Sequence, residues 1–334
     1  MTPLSLRRLL PALALAAAAL ASAPASAGPY SALVVFGDSL SDNGNNAAAG
    51  LFDPTQVIGG NGYVPTNTYA AGTYSNGLVW ASDFAAMIGL PLAPSLVGGS
   101  DFAFGGATTG TPGPGPGGFP YSLLVQTNQY LGATGNHASP TALYVVAGGG
   151  NDVRGALAAI AGGADVGATI ASTALSFAAN VGTIVDELQA AGAQHIIVWD
   201  TPNVGLAPAV VAAGGADLAT FLAGSMNAAL AARLAGEAGV STFDIFGLGT
   251  QIALHPALFG FTNVTDACGA LVGANCSQYA YWDGIHPTAA AHLAIAGAFA
   301  VVAVPEPETW ALFAAGLAVL GWTSRRRAKT IVAT

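Results

Sequence analysis

Three short apolar runs, at residues 32–36, 142–147 and 195–199, each stop abruptly on Gly or Asp, and they constrain this chain more than any other feature. A short apolar run bounded by turn residues reads as a buried strand of a parallel sheet. Residues 240–246 add a fourth such strand, and residues 101–107, ending on Gly105 and Gly106, a short fifth one. Helical patterns fall between them at residues 78–88, 165–191 and 218–238, with a short one at 253–260. A last helix spans 287–302, with Pro287 in its first turn where proline is tolerated. Residues 45–73, rich in Gly, Asn, Pro and Thr, read as a long surface loop. Strands alternating with helices predict an α/β fold on a parallel sheet, one large domain of about 277 residues between 28 and 304.

The first run ends in Gly37-Asp38-Ser39-Leu40. That places Ser39 at the carboxyl end of a strand, where open α/β sheets build their sites. The small polar residues after it predict a turn into a helix, whose N-terminus favours negative charge at the Ser39 amide. Asp38 and Ser39 acting only as helix caps is the alternative, and a base for the hydroxyl separates the two readings. Histidine is the usual base at neutral pH. His137 lies in a Gly/Asn/Ser loop, His195 opens a strand, His255 precedes Pro256, and His292 lies on the last helix, where packing or exposure explains each. His286 differs: Asp283 stands three residues before it in a tight glycine-containing turn, so one loop supplies an imidazole and the carboxylate that orients it. One formal match fails and one common pattern is absent: Gly113 to Gly118 fits G-x-G-x-x-G but carries Pro114 and Pro116 and follows no strand, and G-x-S-x-G does not occur.

Composition matters at the two ends. Arg7 and Arg8, an Ala/Leu-rich run over 9–21 and Ala25-Ser26-Ala27 predict a secretory signal peptide cut after Ala27, with a membrane anchor as the alternative. At the far end Val304-Pro305-Glu306-Pro307-Glu308 precedes a wholly apolar stretch at 310–322 and then Arg325, Arg326 and Arg327. Thirteen helical residues reach about 20 Å, short of the roughly 30 Å hydrocarbon core. Without these ends only Arg154 and Arg233 face fifteen acidic residues, a charge near −13. Nucleic acid and anionic membrane surfaces are therefore poor partners for the domain. Cys268 and Cys276, eight residues apart in an exported chain, are expected to pair, and nothing around them has metal-ligand spacing.

The separate pieces occur in a telling order: Gly37-Asp38-Ser39-Leu40, then 102–107, then Gly149-Gly150-Asn151-Asp152, then Asp283-Gly284-Ile285-His286. This series resembles the GDSL, or SGNH, esterase/lipase family over residues 34–293. Softer matches are Ser75-Asn76-Gly77 before Val79-Trp80, the 200–205 segment and the 259–266 segment. Asp101, where many relatives carry Asn, and Leu78, often basic, depart from the pattern. The resemblance implies a three-layer α/β/α sandwich of flavodoxin-like type. It implies an ester hydrolase working through an acyl-enzyme on Ser39, with His286 as base and Asp283 as its orienting group. The Ser39 amide, the Gly106 amide and the Asn151 side chain would form the oxyanion hole. No metal or organic cofactor is expected. A phospholipase, a thioesterase, or a catalytically silent surface-binding protein on the same fold are the rival readings. The C-terminal tail resembles the PEP-CTERM sorting signal. That likeness implies processing by an exosortase, transient membrane association through the tail, and delivery to the cell surface or beyond.

Overall fold

The computed structural model describes residues 30–56, 67–70 and 72–304; the expected signal peptide and the sorting tail after 304 lie outside the described residues. Four parallel strands form the main sheet in sequence order: β1 (Leu33–Gly37), β2 (Leu143–Ala147), β3 (His195–Trp199) and β4 (Val240–Phe243). All five residues of β1 and of β2 are buried, as continuous apolar runs require when both faces of a parallel sheet are covered.

Strand alternation divides the core. Val34, Phe36, Tyr144, Val146, Ile196 and Val198 point to one face. There they meet α3 (Leu123–Ala133), α4 (Gly150–Ala161), α5 (Val166–Ala190) and α7 (Ala216–Arg233). Leu33, Val35, Leu143, Val145, Ile197 and Trp199 point the other way, against α2 (Trp80–Met87), α8 (Ile245–Leu254) and α9 (Ala289–Ala303). Each fully buried large apolar side chain contributes about 1.5–3 kcal/mol, so both layers are held by the same period-2 pattern. The three-layer expectation is met.

Short elements complete the chain: α1 (Asn45–Ala48), α6 (Pro208–Ala212), and a two-stranded parallel sheet of β5 (Asn263–Ala267) and β6 (Tyr279–Tyr281). Cys268 and Cys276 form the expected disulfide in the loop that joins those two strands. Asp165 caps α5 by accepting from the Ala168 amide, and Thr288 caps α9 by accepting from Ala291, so both helices start within two residues of their expected positions.

Several expectations need adjustment. Residues 101–107 are not a strand. Val35 donates to the Ser100 carbonyl at 3.1 Å, Phe102 donates to Val35 at 2.7 Å and Phe104 to Gly37 at 3.2 Å, covering the free edge of β1 before the chain turns away at Gly106 (φ +88°). The 218–238 helix ends at Arg233, just before Gly236 turns at φ +84°. The 240–246 strand stops at Phe243, because Asp244 accepts from the Gly247 amide and starts α8. The short helix expected at 253–260 is a 3₁₀ turn over Pro256–Phe259. The loop after β1 contains α1, and its 57–66 stretch and residue 71 lie outside the described residues.

Candidate active site

Gly37 ends β1 because nothing larger fits: a Cβ there would stand 2.8 Å from the Ala147 carbonyl of β2. The Gln126 side chain of α3 closes over it, accepting from Gly37 N and donating to Gly37 O, both at 2.8 Å. The chain then turns. Asp38 Oδ1 accepts from Leu40 N at 3.0 Å, and the Asp38 carbonyl accepts from Ser41 and Asp42. Ser39 therefore sits in a turn, not at the helix N-terminus expected from the sequence; the first helix after it starts only at Asn45. Its amide has no hydrogen-bond acceptor among the described residues. Burial pushes the Asp38 carboxyl up to about 6, against the opposing pull of the Leu40 amide and the His286 imidazole.

The histidine arrives from the opposite end of the chain. Its loop, between β6 and α9, is wound around one carboxylate. Asp283 Oδ1 accepts from the Ile285 and His286 amides, each at 2.7 Å. Asp283 Oδ2 faces His286 Nδ1 at 2.6 Å and accepts from the Tyr69 hydroxyl at 2.5 Å. Burial alone would raise this carboxyl. Attraction to the His286 ring in its protonated form and the hydrogen bonds from His286, Tyr69 and Ile285 outweigh it and hold Asp283 below the ordinary value. An ionised Asp283 needs Nδ1–H as its donor, which leaves Nε2 of the neutral ring to accept. Nε2 lies 2.9 Å from Ser39 Oγ. The Tyr74 ring lies over the imidazole at 5.4 Å between centroids.

A third segment faces the same turn. Gly106, at φ +88°, is exposed, and its amide has no acceptor among the described residues. Gly105 is held through both of its peptides: Gly105 N donates to Asp42 Oδ2 at 2.9 Å, and Asn46 Nδ2 donates to Gly105 O at 3.0 Å. Because Gly105 O and Gly106 N belong to one planar peptide, Asn46 fixes the direction of the Gly106 N–H. Asn151 lies in the first turn of α4; its Nδ2 donates one hydrogen to the Ala107 carbonyl at 2.9 Å, and Arg154 donates to its Oδ1 at 3.3 Å. The amide orientation is fixed that way, with a second N–H left over. Asn151 and Arg154 line one cleft with Asp38, Ser39 and His286.

Thus the structure brings Ser39, His286 and Asp283 into one hydrogen-bonded line, with Asn151 on the wall of the same cleft. Gly106 is the residue after the clamped Gly105 peptide, and it does not line that cleft. His137, His195 and His255 are exposed. His292 is a buried packing residue whose Nδ1 accepts from Trp80 N at 3.2 Å; burial first, then the His286 charge, lower it to about 3. Sequence reasoning missed Tyr69, Asp42, Asn46 and Gln126. Asp42 and Asn46 follow the serine closely enough to have been suspected as turn-holding residues, whereas Tyr69 and Gln126 carry no local signal.

The chain is similar to several known proteins. Lipase 1 of Photorhabdus luminescens is 32% identical over 190 residues, 57% of this chain and 25% of that protein. Esterase EstA of Pseudomonas aeruginosa is 30% identical over 319 residues, 81% of this chain and 46% of that protein. The chain spans about half the length, or less, of the curated relatives it matches. Among solved structures, a carbohydrate acetylesterase from Sinorhizobium meliloti is 14% identical with a TM-score of 0.44, covering 81% of this chain and 99% of that one. The PEP-CTERM protein-sorting motif matches residues 303–327. A family model for GDSL-like lipase/acylhydrolases matches residues 33–299, from the first strand into the last helix, and the chain belongs to that family.

Proposed function

We propose that this protein is an exported carboxylic ester hydrolase that works through an acyl-enzyme on Ser39. His286 Nε2 takes the Ser39 proton as Oγ adds to the ester carbonyl, and Asp283 stabilises the imidazolium that forms. The negative oxygen of the tetrahedral intermediate is received by the Ser39 and Gly106 amides and the remaining Asn151 N–H. Collapse of the intermediate expels the alcohol, which takes the proton back from His286. A water molecule, deprotonated by the same imidazole, then adds to the acyl group; the acid leaves and Ser39 regains its proton. The observation that carries this reading is the line from Ser39 Oγ through His286 to Asp283 at 2.9 and 2.6 Å.

The tail supports export to the cell envelope. We assign residues 28–304 to the hydrolase and residues from 305 onward to the sorting tail, to be processed by an exosortase. Ser39→Ala tests the chemistry. It should keep the fold by circular dichroism, lose nearly all hydrolysis of nitrophenyl esters, and escape the mass increase that an alkylphosphonate adds to the unaltered enzyme. An active Ser39→Ala protein, or one still labelled, would overturn the assignment.

A further inference from the structure

The cleft at Ser39 has two unlike ends. On the α4 side its wall carries Asn151 and Arg154, and it continues past Asn203 to Val204, Leu206 and Ala207. On the α8 and α9 side it runs between Ile245 and Ile252 of α8, Val264 of β5 and Ile295 of α9. Ile245, Ile252 and Ile295 are each at most 8% exposed, so this arm is walled by buried apolar side chains. Into it faces Gly249. A Cβ at Gly249 would meet nothing within 4 Å, whereas one at Gly247, in the same helix, would stand 2.2 Å from the Asp244 carboxylate. Gly247 is thus a packing requirement and Gly249 is not. A helical glycine is destabilising relative to Ala, and what the fold gains at Gly249 is open room in the apolar arm.

We propose that this arm is an acyl-chain site, that the enzyme selects esters of apolar carboxylic acids several carbons long, and that Gly249 keeps the arm open to them. This rests on Ser39 being the nucleophile. The two halves of an ester make different demands on the cleft. The alcohol departs after the first half-reaction and needs a wet exit, for which Asn151 and Arg154 supply polar wall. The acyl group stays bonded to Ser39 until water reaches it, and an apolar chain is stabilised for that time by desolvated walls. Each methylene transferred from water into such walls contributes a factor of about four.

The test is a series of nitrophenyl esters from acetate through butyrate and octanoate to palmitate, beside a series of acetate esters with lengthening alcohols. The unaltered enzyme should favour octanoate over acetate in kcat/KM by about tenfold or more, with little preference along the alcohol series. Gly249→Phe should cut the octanoate-to-acetate ratio at least tenfold; if it does not fold by circular dichroism, Gly249→Leu serves in its place. Calorimetry with decanoate reads the site without catalysis: the acid should bind the unaltered protein and Ser39→Ala alike, and bind Gly249→Phe at least tenfold more weakly. A flat acyl series, selection along the alcohol series, a loss in Gly249→Phe that is equal for all chain lengths, or equal decanoate binding would each overturn the proposal. Absence of hydrolysis together with the expected decanoate binding would instead remove Ser39 as nucleophile and leave the acyl site standing.

Discussion

Two buried carboxylates hold the two halves of the site, and each receives four donors. Asp42 accepts the amides of Gly44 and Asn45 on Oδ1 and those of Asn46 and Gly105 on Oδ2. Asp283 accepts the amides of Ile285 and His286 on Oδ1, and the His286 ring and the Tyr69 hydroxyl on Oδ2. Their protonation nevertheless goes opposite ways. Burial pushes Asp42 up to about 6 against its four amides. Burial also works to raise Asp283, yet its imidazole partner helps bring it below the ordinary value. Amide dipoles fix where a carboxylate and its loop sit, while a partner able to carry a full charge fixes the carboxylate's own charge. The half that holds Ser39 and Gly106 therefore needs Asp42 for geometry, and the half that holds His286 needs Asp283 for charge.

The same isosteric change should separate these roles most sharply at the base. Asp283→Asn keeps the shape of the loop but offers the imidazole no negative partner and favours the wrong ring tautomer. Turnover of a nitrophenyl ester should fall on the order of 10⁴, the scale known for the corresponding change in a serine-protease triad. A variant with near-normal turnover would break the comparison at once. On the other half, Asn151→Ala removes the proposed oxyanion donor, whose effect is expected mainly once the carbonyl oxygen becomes negative. Turnover should fall roughly 10²–10³ with KM little changed, the scale of subtilisin's oxyanion asparagine. Normal turnover with a lowered Tm would reduce Asn151 to a residue that ties α4 to Ala107.

Much of this half-and-half construction was legible in the sequence, and the reasons for the gaps are physical. Runs at 32–36, 142–147 and 195–199 are apolar on both strand faces, so their burial in a parallel sheet needed no tertiary knowledge. Ser39, Asp283, His286 and Asn151 stand in short motifs whose order carried them. The helix α4 was missed because its first residues, Gly150-Asn151-Asp152, have turn chemistry, and packing of Val153 and Ala156 against the sheet overrides it. β5 and β6 are short, half-exposed and without a clean alternation, so nothing local marks them. Tyr69 reaches Asp283 across 214 residues of sequence, and no spacing rule finds such a pair.

Tyr69 offers a smaller and more selective test of the base half. Tyr69→Phe keeps the ring that packs edge-on against Trp282 at 6.1 Å and removes only the hydrogen bond to Asp283. A hydrogen bond to a charged group is worth about 1.5–3 kcal/mol, part of which reaches the transition state, so turnover should fall about tenfold. The carboxylate loses one of the contacts that lower it, and the acid limb of the pH–rate profile should move to higher pH. Loss of stability with an unmoved acid limb would make Tyr69 a packing residue only.

The smallest effect on rate is expected at Asp42, where the matched change sharpens the contrast. Asp42→Asn retains an oxygen for the Gly44 and Asn45 amides but presents its own NH₂ to those of Asn46 and Gly105. Asn46 still holds the Gly105 carbonyl, so the Gly106 amide stays near its direction and turnover should fall less than tenfold. Stability should drop by about 1–3 kcal/mol for the buried amides left without an acceptor. The pH dependence carries the decisive information. With Asp42 near 6 in the folded chain and 3.8 as its reference, the native state binds more protons than the unfolded one between those values. The corresponding stability is complete below about 3.8 and is lost as pH rises through 6. The variant lacks that contribution, so the Tm gap between unaltered and Asp42→Asn protein should narrow by a few degrees from pH 5 to pH 8. A gap that instead widens with pH would mean that four amides hold Asp42 charged as firmly as His286 holds Asp283, and the distinction between the two carboxylates would fall.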